Sequence, residues 1–207
     1  MRIKFILQSN IKYYLCRGYI KTPVKISEIE FIEKKSRFLG YIIPAPTVEE
    51  FKEFYETLKK EHQRANHVAY AYKIKTETDL KIKFYDDGEV SGTAGKPILN
   101  HIEGNDLINA AVFVVRYFGG IRLGAGGLGR AYSAAARRAI EAAIVEEYVE
   151  YDYLSIVIEY SQQKTLENLI KKQNASIHSS EFAENVTLSV KVPREYTAKL
   201  KALLNEL

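Results

Sequence analysis

The sequence is poor in cysteine and lacks both tryptophan and long apolar runs. Its single cysteine, Cys16, has no second cysteine to pair with, so no intramolecular disulfide can hold the fold together. The apolar runs are short, whereas a membrane-spanning helix needs roughly 20 residues. Charged and polar residues also interrupt the N-terminus before a signal-peptide core can form. We therefore expect a cytoplasmic protein with no membrane partner, held together by its hydrophobic core.

Charge is distributed unevenly along the chain. The 207 residues are 46% hydrophobic and carry a net charge of +4. Residues 1–40 contain nine basic and three acidic side chains, so this segment contributes +6 and the remainder −2. Such lysines either solubilise the surface or attract an acidic partner such as RNA, and both interpretations stay open.

The hydrophobic pattern predicts an α+β fold in two domains. Apolar and β-branched residues predict a hairpin, two further strands and one strand buried on both faces. Thr47 and Glu50 form a capping box that begins a helix after the hairpin. An alanine-rich helix follows the glycine-rich stretch and is predicted to end near residue 147. The predicted strands are 26–32, 37–43, 67–75, 81–86 and 110–118.

The pattern restarts near residue 152, where we place a domain boundary. The second part reads as strand, helix, strand, strand, helix, with clear alternation from Val186 to Val192. The predicted organisation is an extra basic segment, a larger domain and a smaller domain, at residues 1–20, 21–150 and 152–207.

The stretch "RYFGGIRLGAGGLGRAY" (116–132) contains six glycines, three arginines and no carboxylate. Glycines between a strand and a helix let backbone amides approach an anion, and a helix N-terminus attracts negative charge. Phosphate is the expected ligand, although the spacing matches no P-loop or dinucleotide motif. Alternatively, the glycines serve tight packing and the arginines face water. The candidate anion-binding residues are Arg116, Gly119, Gly120, Arg122, Gly126, Gly127, Arg130 and Lys96.

An acidic loop, "YDDGEVSGTAGKPIL" (85–99), is the second candidate. It lacks the ligand pattern of an EF-hand, so its acids are left to cap a helix, bind Mg²⁺ or pair with the arginines. Pairing is the interpretation that we favour. His67 stands alone at the start of a predicted strand. A single histidine in such a position is most often a hydrogen-bonded structural residue.

Four motifs together resemble the IMPACT family: "KKSRF" (34–38), "HVAYAY" (67–72), "DDGEVSGTAGKPIL" (86–99) and "VVRYFGGIRLGAGGLGRAY" (114–132). The resemblance implies a domain like the second domain of ribosomal protein S5. It also implies a smaller ferredoxin-like domain, similar to the last domain of elongation factor G. A ferredoxin-like domain ends with a strand, which this sequence lacks after its last helix. We expect the segment "RIKFILQ" or a partner subunit to cover the open sheet edge.

The resemblance also implies a role in translation and a polar cleft. Eukaryotic relatives regulate translation through an additional N-terminal domain that this sequence lacks, so that role does not transfer whole. The cleft residues implied are His67, Asp86, Asp87, Glu89, Ser91, Thr93 and Arg37, beside Arg116 and Arg130.

Three functions follow as expectations. The first is a translation-associated protein that binds structured RNA or the ribosome through the arginine and glycine cleft, with no DNA-specific signal. The second is an enzyme acting on a phosphorylated small molecule or nucleotide, with Mg²⁺ held by Asp86, Asp87 or Glu89. The third is a protein-interaction module that uses the unpaired sheet edge. No catalytic set can be assembled from the sequence, and only the second function requires a cofactor.

Overall fold

The computed structural model describes residues 20–76 and 78–205. These residues fall into two compact units that divide between Tyr148 and Val149. The predicted basic segment 1–20 lies outside the described residues, except for Ile20. Every helix among the described residues is too short or too polar to span a lipid bilayer.

The first unit is built on a five-stranded antiparallel sheet with the order β2-β3-β6-β4-β5. A separate two-stranded sheet joins β1 and β7. The strands are β1 (Lys21–Pro23), β2 (Ser27–Glu33), β3 (Ser36–Pro44), β4 (His67–Lys75), β5 (Leu80–Tyr85), β6 (Ala110–Tyr117) and β7 (Val145–Glu147). The helices are α1 (Val48–Glu61), α2 (Gly95–Gly104) and α3 (Gly124–Glu141).

Both faces of this sheet are covered, which explains the apolar sequence of β6. On one face, Val112 and Val114 share a core with Ile98 of α2 and Tyr132 of α3. On the other face, the Phe113 ring stacks on Phe51 of α1, with ring centroids 5.4 Å apart. The prediction of a central strand buried on both faces is therefore confirmed.

Helix α1 begins as the sequence predicts. The Thr47 hydroxyl accepts a hydrogen bond from the Glu50 amide at 3.2 Å, which satisfies one of the free amides at the helix N-terminus. Phe51 and Leu58, seven residues apart, are the buried side chains of its inner face.

Two features of the first unit differ from the prediction. The acidic stretch was expected to be a loop as far as residue 99, but helix α2 begins inside it at Gly95. The alanine-rich helix ends at Glu141 instead of residue 147, because Val145–Glu147 pairs with β1. The predicted helix end is wrong, since a pairing with a strand far away in sequence overrides local helix propensity.

The described residues of the second unit follow the ferredoxin-like order of elements from its first strand to its second helix. Its elements are β8 (Tyr151–Ile158), α4 (Gln163–Lys172), β9 (Ser176–Phe182), β10 (Val186–Pro193) and α5 (Arg194–Asn205). The sheet order is β8-β10-β9 and both pairings are antiparallel. Within residues 20–76 and 78–205, no strand pairs with the outer edge of β8. The predicted α+β fold class is confirmed, whereas the segment "RIKFILQ" lies outside the described residues.

Candidate functional site

The acidic loop between β5 and α2 is folded around the carboxylate of Asp86. Its Oδ1 accepts hydrogen bonds from the amides of Ala94 at 3.0 Å and Gly95 at 2.8 Å. Its Oδ2 accepts one from the amide of Gly92 at 2.9 Å. These amides lie at and just before the start of α2, so Asp86 caps that helix from nine residues upstream.

Asp87 joins the same loop to the start of β4. Its carboxylate accepts a hydrogen bond from the Val68 amide at 2.7 Å, and its carbonyl oxygen lies 2.8 Å from His67 Nδ1. A carbonyl oxygen can only accept, so His67 Nδ1 carries a proton and donates it here. Asp87 has a φ of +47°, which is rare for a residue other than glycine and is maintained by these two contacts.

Glu89, the third acid of the loop, lies in a group that we call the His67 cluster: His67, Glu89, Arg116 and Tyr132. Glu89 Oε1 accepts hydrogen bonds from Arg116 Nη1 at 2.5 Å and from the Tyr132 hydroxyl at 2.9 Å. His67 Nε2 lies 3.7 Å from the same oxygen. The predicted pairing between the acidic loop and an arginine is therefore observed, with Glu89 as the acid.

Burial governs the electrostatics of this cluster. Arg116 is only 6% exposed, and Glu89 is its one ion-pair partner within the described chain. Arg116 Nε is buried without a hydrogen-bond partner among the described residues. Burial, followed by the charge of Glu89, raises the pKa of the Tyr132 hydroxyl far above its usual value of 10.0. Tyr132 thus stays protonated and donates to the carboxylate.

The acids of the loop are not arranged as metal ligands. Asp86 and Asp87 accept hydrogen bonds from backbone amides, and Glu89 accepts them from Arg116 and Tyr132. Among the residues that the structure describes, no group of three or more His, Cys, Asp and Glu side chains could hold a metal ion. The alternative of an Mg²⁺ enzyme gains no support from this geometry.

The glycine-rich stretch is partly loop and partly helix. Gly119 lies against the β2–β3 turn: its amide donates to Ser36 Oγ at 3.2 Å, and a Cβ there would lie 1.9 Å from the Lys35 carbonyl oxygen. Gly120 has a φ of +87°. Gly126 and Gly127 lie in the first turn of α3 and not in a loop. Close packing therefore accounts for Gly119, whereas the later glycines begin a helix.

Arg122 and Arg130 differ from Arg116 in being exposed. Arg130 lines a groove of 410 Å³ between α3 and the end of the β2–β3 hairpin, which we call the α3 groove. Lys34 and Arg138 line it as well, and the Arg138 guanidinium lies 4.7 Å from the centroid of the Phe31 ring. The remaining lining residues are Ile32, Glu33, Leu123, Gly127, Ala131 and Ala134.

The turn that borders this groove has an unusual backbone. Lys34 and Lys35 have φ values of +44° and +62°, the signs of the tight hairpin turn that normally takes asparagine or glycine. Both lysines are exposed. The conformation directs two cations out of the sheet at the place where Gly119 packs against it.

The other predicted site residues lie elsewhere. Arg37 forms two hydrogen bonds with the Glu30 carboxylate on the neighbouring strand, at 2.6 and 2.9 Å. Lys96 lies on α2, 4.0 Å from Glu103. The Thr93 hydroxyl donates to the Val90 carbonyl at 2.6 Å, and Ser91 is exposed.

Sequence reasoning missed Tyr132, Lys34 and Arg138 as site residues. Lys34 belongs to the motif "KKSRF", which marked the turn without showing what it faces. Arg130, Ala134 and Arg138 are spaced four residues apart, so they lie along one ridge of α3. From that spacing, the sequence could have indicated that Arg138 lies on the same side of α3 as Arg130.

Comparison with known proteins agrees with the motifs. The Impact N-terminal domain matches residues 34–140, and a domain of unknown function, DUF1949, matches residues 156–207. The chain belongs to the IMPACT family. An IMPACT family member from Haemophilus influenzae is 35% identical over 84% of this chain and 84% of its own. The IMPACT family member YigZ from Escherichia coli is 34% identical over 83% of this chain and 84% of its own.

A solved structure shares the architecture of this IMPACT family chain. It is titled "Crystal structure of an hypothetical protein" and aligns with a TM-score of 0.65 at 30% identity. The alignment covers 90% of this chain and 91% of the solved one. It therefore includes both units.

Proposed function

We propose that this IMPACT family member is a translation-associated protein that binds the phosphate backbone of structured RNA through the α3 groove and the glycine-rich loop beside it. The translational setting rests on the family resemblance. The RNA-binding surface rests on the distribution of paired and unpaired cations in the first unit. Ribosomal RNA is the natural first ligand to test.

The observation that supports this proposal is that three cations line one groove and none has an ion-pair partner in the described part of the chain. Lys34, Arg130 and Arg138 form no ion pair with any described residue. By contrast, Arg37, Arg116 and Arg137 of the same unit pair with Glu30, Glu89 and Glu141. Glu33 is the one carboxylate in the groove lining. Unpaired guanidinium and ammonium groups on one surface are suited to a row of phosphates, which arginine binds through two parallel hydrogen bonds.

The start of α3 supports the same ligand. Its first turn, Gly124 to Gly127, contains no acidic residue, and no side chain of the described residues caps its amides. Arg122 precedes this turn and is exposed. The helix dipole and the free amides attract an anion, and the small glycines leave room for its approach.

Arg116 has a positioning role in this proposal. Because it is buried and paired with Glu89, its guanidinium is not placed to grip an RNA backbone. Its strand instead carries the loop: the Asn66 amide donates to the Arg116 carbonyl, and Asn66 Oδ1 accepts from the Phe118 amide. Asn66, next to the His67 cluster, thus holds the end of β6 from which the glycine-rich loop departs.

The test compares the RNA affinity of a variant that lacks two groove arginines with that of a variant that lacks a third arginine on the same helix. Fluorescence anisotropy with a labelled ribosomal RNA hairpin is measured for the native chain, for Arg130→Ala with Arg138→Ala, and for Arg137→Ala. Arg137 is exposed and pairs with Glu141 at 2.8 Å, so it is a matched control on the same helix. Loss of two charged contacts predicts at least about tenfold weaker binding, with little change for the control. Equal binding by all three proteins would contradict the proposal, provided circular dichroism shows them folded.

A further inference from the structure

The sheet of the second unit has one face covered by helices and one face open to solvent. Leu154 and Ile156 of β8 are buried in the core that includes α4 and α5. Burial alternates along β8, so Tyr151 and Tyr153 lie on the opposite side of the sheet, where they are 40% and 50% exposed. We call the side of the sheet that carries these two tyrosines the open face. Exposed aromatic side chains that lie together on one sheet face are informative, because a contiguous exposed patch often marks a binding surface.

Rings from two different strands meet on the open face. The rings of Tyr153 and His178 are 5.2 Å apart between centroids, at an angle of 71°. Strand β10 separates them, and its register with β9 shifts between Ser189 and Val190. A β-bulge inserts an extra residue and redirects a side chain, which explains how His178 reaches across to Tyr153.

Polar groups and a cation surround these rings. The Lys191 ammonium lies 4.0 Å from the centroid of the Tyr151 ring. In the register of β10 with β8, Lys191 lies directly opposite Tyr153. Ser155 and Ser189 face each other next along the same face. Among the open-face positions of the three strands, the one carboxylate is Glu181, which lies on the outer strand β9. The centre of the face therefore offers rings, hydroxyls and one positive charge.

We propose that the open face binds unpaired bases of single-stranded RNA, which stack on Tyr153 and His178 while Lys191, beside the Tyr151 ring, contacts a phosphate. Stacking on aromatic side chains of an open sheet is how single-stranded RNA is held by other proteins whose sheets are covered on one face by two helices. The ring of a base and the hydroxyls beside it match this face better than an aliphatic protein surface does. Val157 is the one exposed aliphatic side chain of β8.

This inference goes beyond the proposed function and does not depend on it. The α3 groove would hold phosphates of folded RNA, whereas the open face would hold bases that folding leaves unpaired. The sequence alone gives no sign of this binding surface, because its rings come from β8 and β9, which a helix separates in sequence. Both strands pair with β10, and this pairing brings the rings together.

The test uses the full chain and a labelled single-stranded oligouridylate of about eight nucleotides. Tyr153→Ala removes a stacking ring, and Tyr153→Phe keeps it. Phe182→Ala is the matched control: Phe182 is 60% exposed in the same unit but pairs with the buried Val186, so it belongs to the other side of the sheet. We expect Tyr153→Ala to weaken binding about fivefold to one-hundredfold, with Tyr153→Phe and Phe182→Ala close to native.

Each other outcome has a definite meaning. The proposal for the open face would be overturned if the oligonucleotide did not bind. It would also be overturned if Tyr153→Ala and Phe182→Ala lost equal affinity for it. Loss in Tyr153→Phe equal to that in Tyr153→Ala would overturn stacking as the mode of binding. Binding of the RNA hairpin without binding of the oligonucleotide would leave the α3 groove supported and would overturn only the proposal for the open face.

Discussion

Arg116 and Glu89 form a buried ion pair across 2.5 Å, although 27 residues separate them in the chain. The pair joins the central strand β6 to the acidic loop before α2. It also explains why one of three arginines in the glycine-rich stretch differs from the others: Arg116 has a partner inside the protein, while Arg122 and Arg130 are exposed. The His67 cluster is thus the internal support of a cationic surface.

Glu89→Gln should destabilise the protein strongly. It leaves the charge of Arg116 buried without compensation, which costs about 3–5 kcal/mol in free energy of unfolding. Urea denaturation measures this value, and Glu141→Gln is the control, because its pair with Arg137 is exposed and contributes about 0.5 kcal/mol. Similar losses in the two variants would show that burial of the Glu89 pair has no energetic consequence.

Asp86→Ala should unfold the acidic loop and weaken the start of α2. It removes the acceptor for three backbone amides, so we expect a loss of about 2 kcal/mol. Asp86→Asn keeps one acceptor oxygen and should lose less. Hydrogen exchange provides the measurement, with faster exchange at the Gly92, Ala94 and Gly95 amides. Unchanged exchange at these amides in Asp86→Ala would rule out the capping role.

Gly119→Ala and Gly129→Ala should have opposite effects. A Cβ at Gly119 would overlap the Lys35 carbonyl, so the β2–β3 turn must move, at a cost of about 1–3 kcal/mol. At Gly129, inside α3, a Cβ meets nothing within 4 Å, and alanine should stabilise the helix by about 0.5–1 kcal/mol. Thermal denaturation of both variants tests the pair. If Gly119→Ala is as stable as the native chain, close packing is not the reason for that glycine.

Stability should fall between neutral and mildly acidic pH because of His101. Its Nε2 lies 2.7 Å from Ser133 Oγ between α2 and α3. Burial, followed by the charge of Arg137, lowers the His101 pKa below its usual 6.5, with Glu141 opposing. The unfolded chain then binds the proton more readily, so this contribution is complete above pH 6.5 and is lost as pH falls through the folded pKa. Urea denaturation across this range should show a smaller loss for His101→Gln than for the native chain. Equal losses would contradict the assignment.

Local signals predicted the parts of the fold that depend on neighbouring residues. Thr47 caps α1 from a position three residues away, and β4 begins at His67 as its alternation indicates. Helix α2 was missed because its cap is Asp86, nine residues before Gly95. Strand β7 was missed because its partner is Lys21–Pro23 at the other end of the unit. Contacts between distant residues leave no local pattern.

The candidate site, like the fold, was predicted only in part from the sequence. The sequence indicated that an acid of the loop would pair with an arginine, and Glu89 does so with Arg116. It could not indicate that the Arg116 guanidinium lies beside the Phe38 ring, because Phe38 comes from another strand that pairs with β6. The α3 groove was also beyond the sequence, since it joins Lys34 of the hairpin to Arg138 of α3.

The salt dependence of RNA binding measures how many phosphates the α3 groove contacts. Anisotropy of the labelled hairpin is measured at several salt concentrations for the native chain and for the triple variant Lys34→Ala, Arg130→Ala, Arg138→Ala. If these cations contact phosphates, the native affinity falls steeply with salt, and the slope of log K against log salt becomes shallower in the variant by about 0.9 per lost contact. Identical slopes for the two proteins would show that the α3 groove does not bind the RNA backbone.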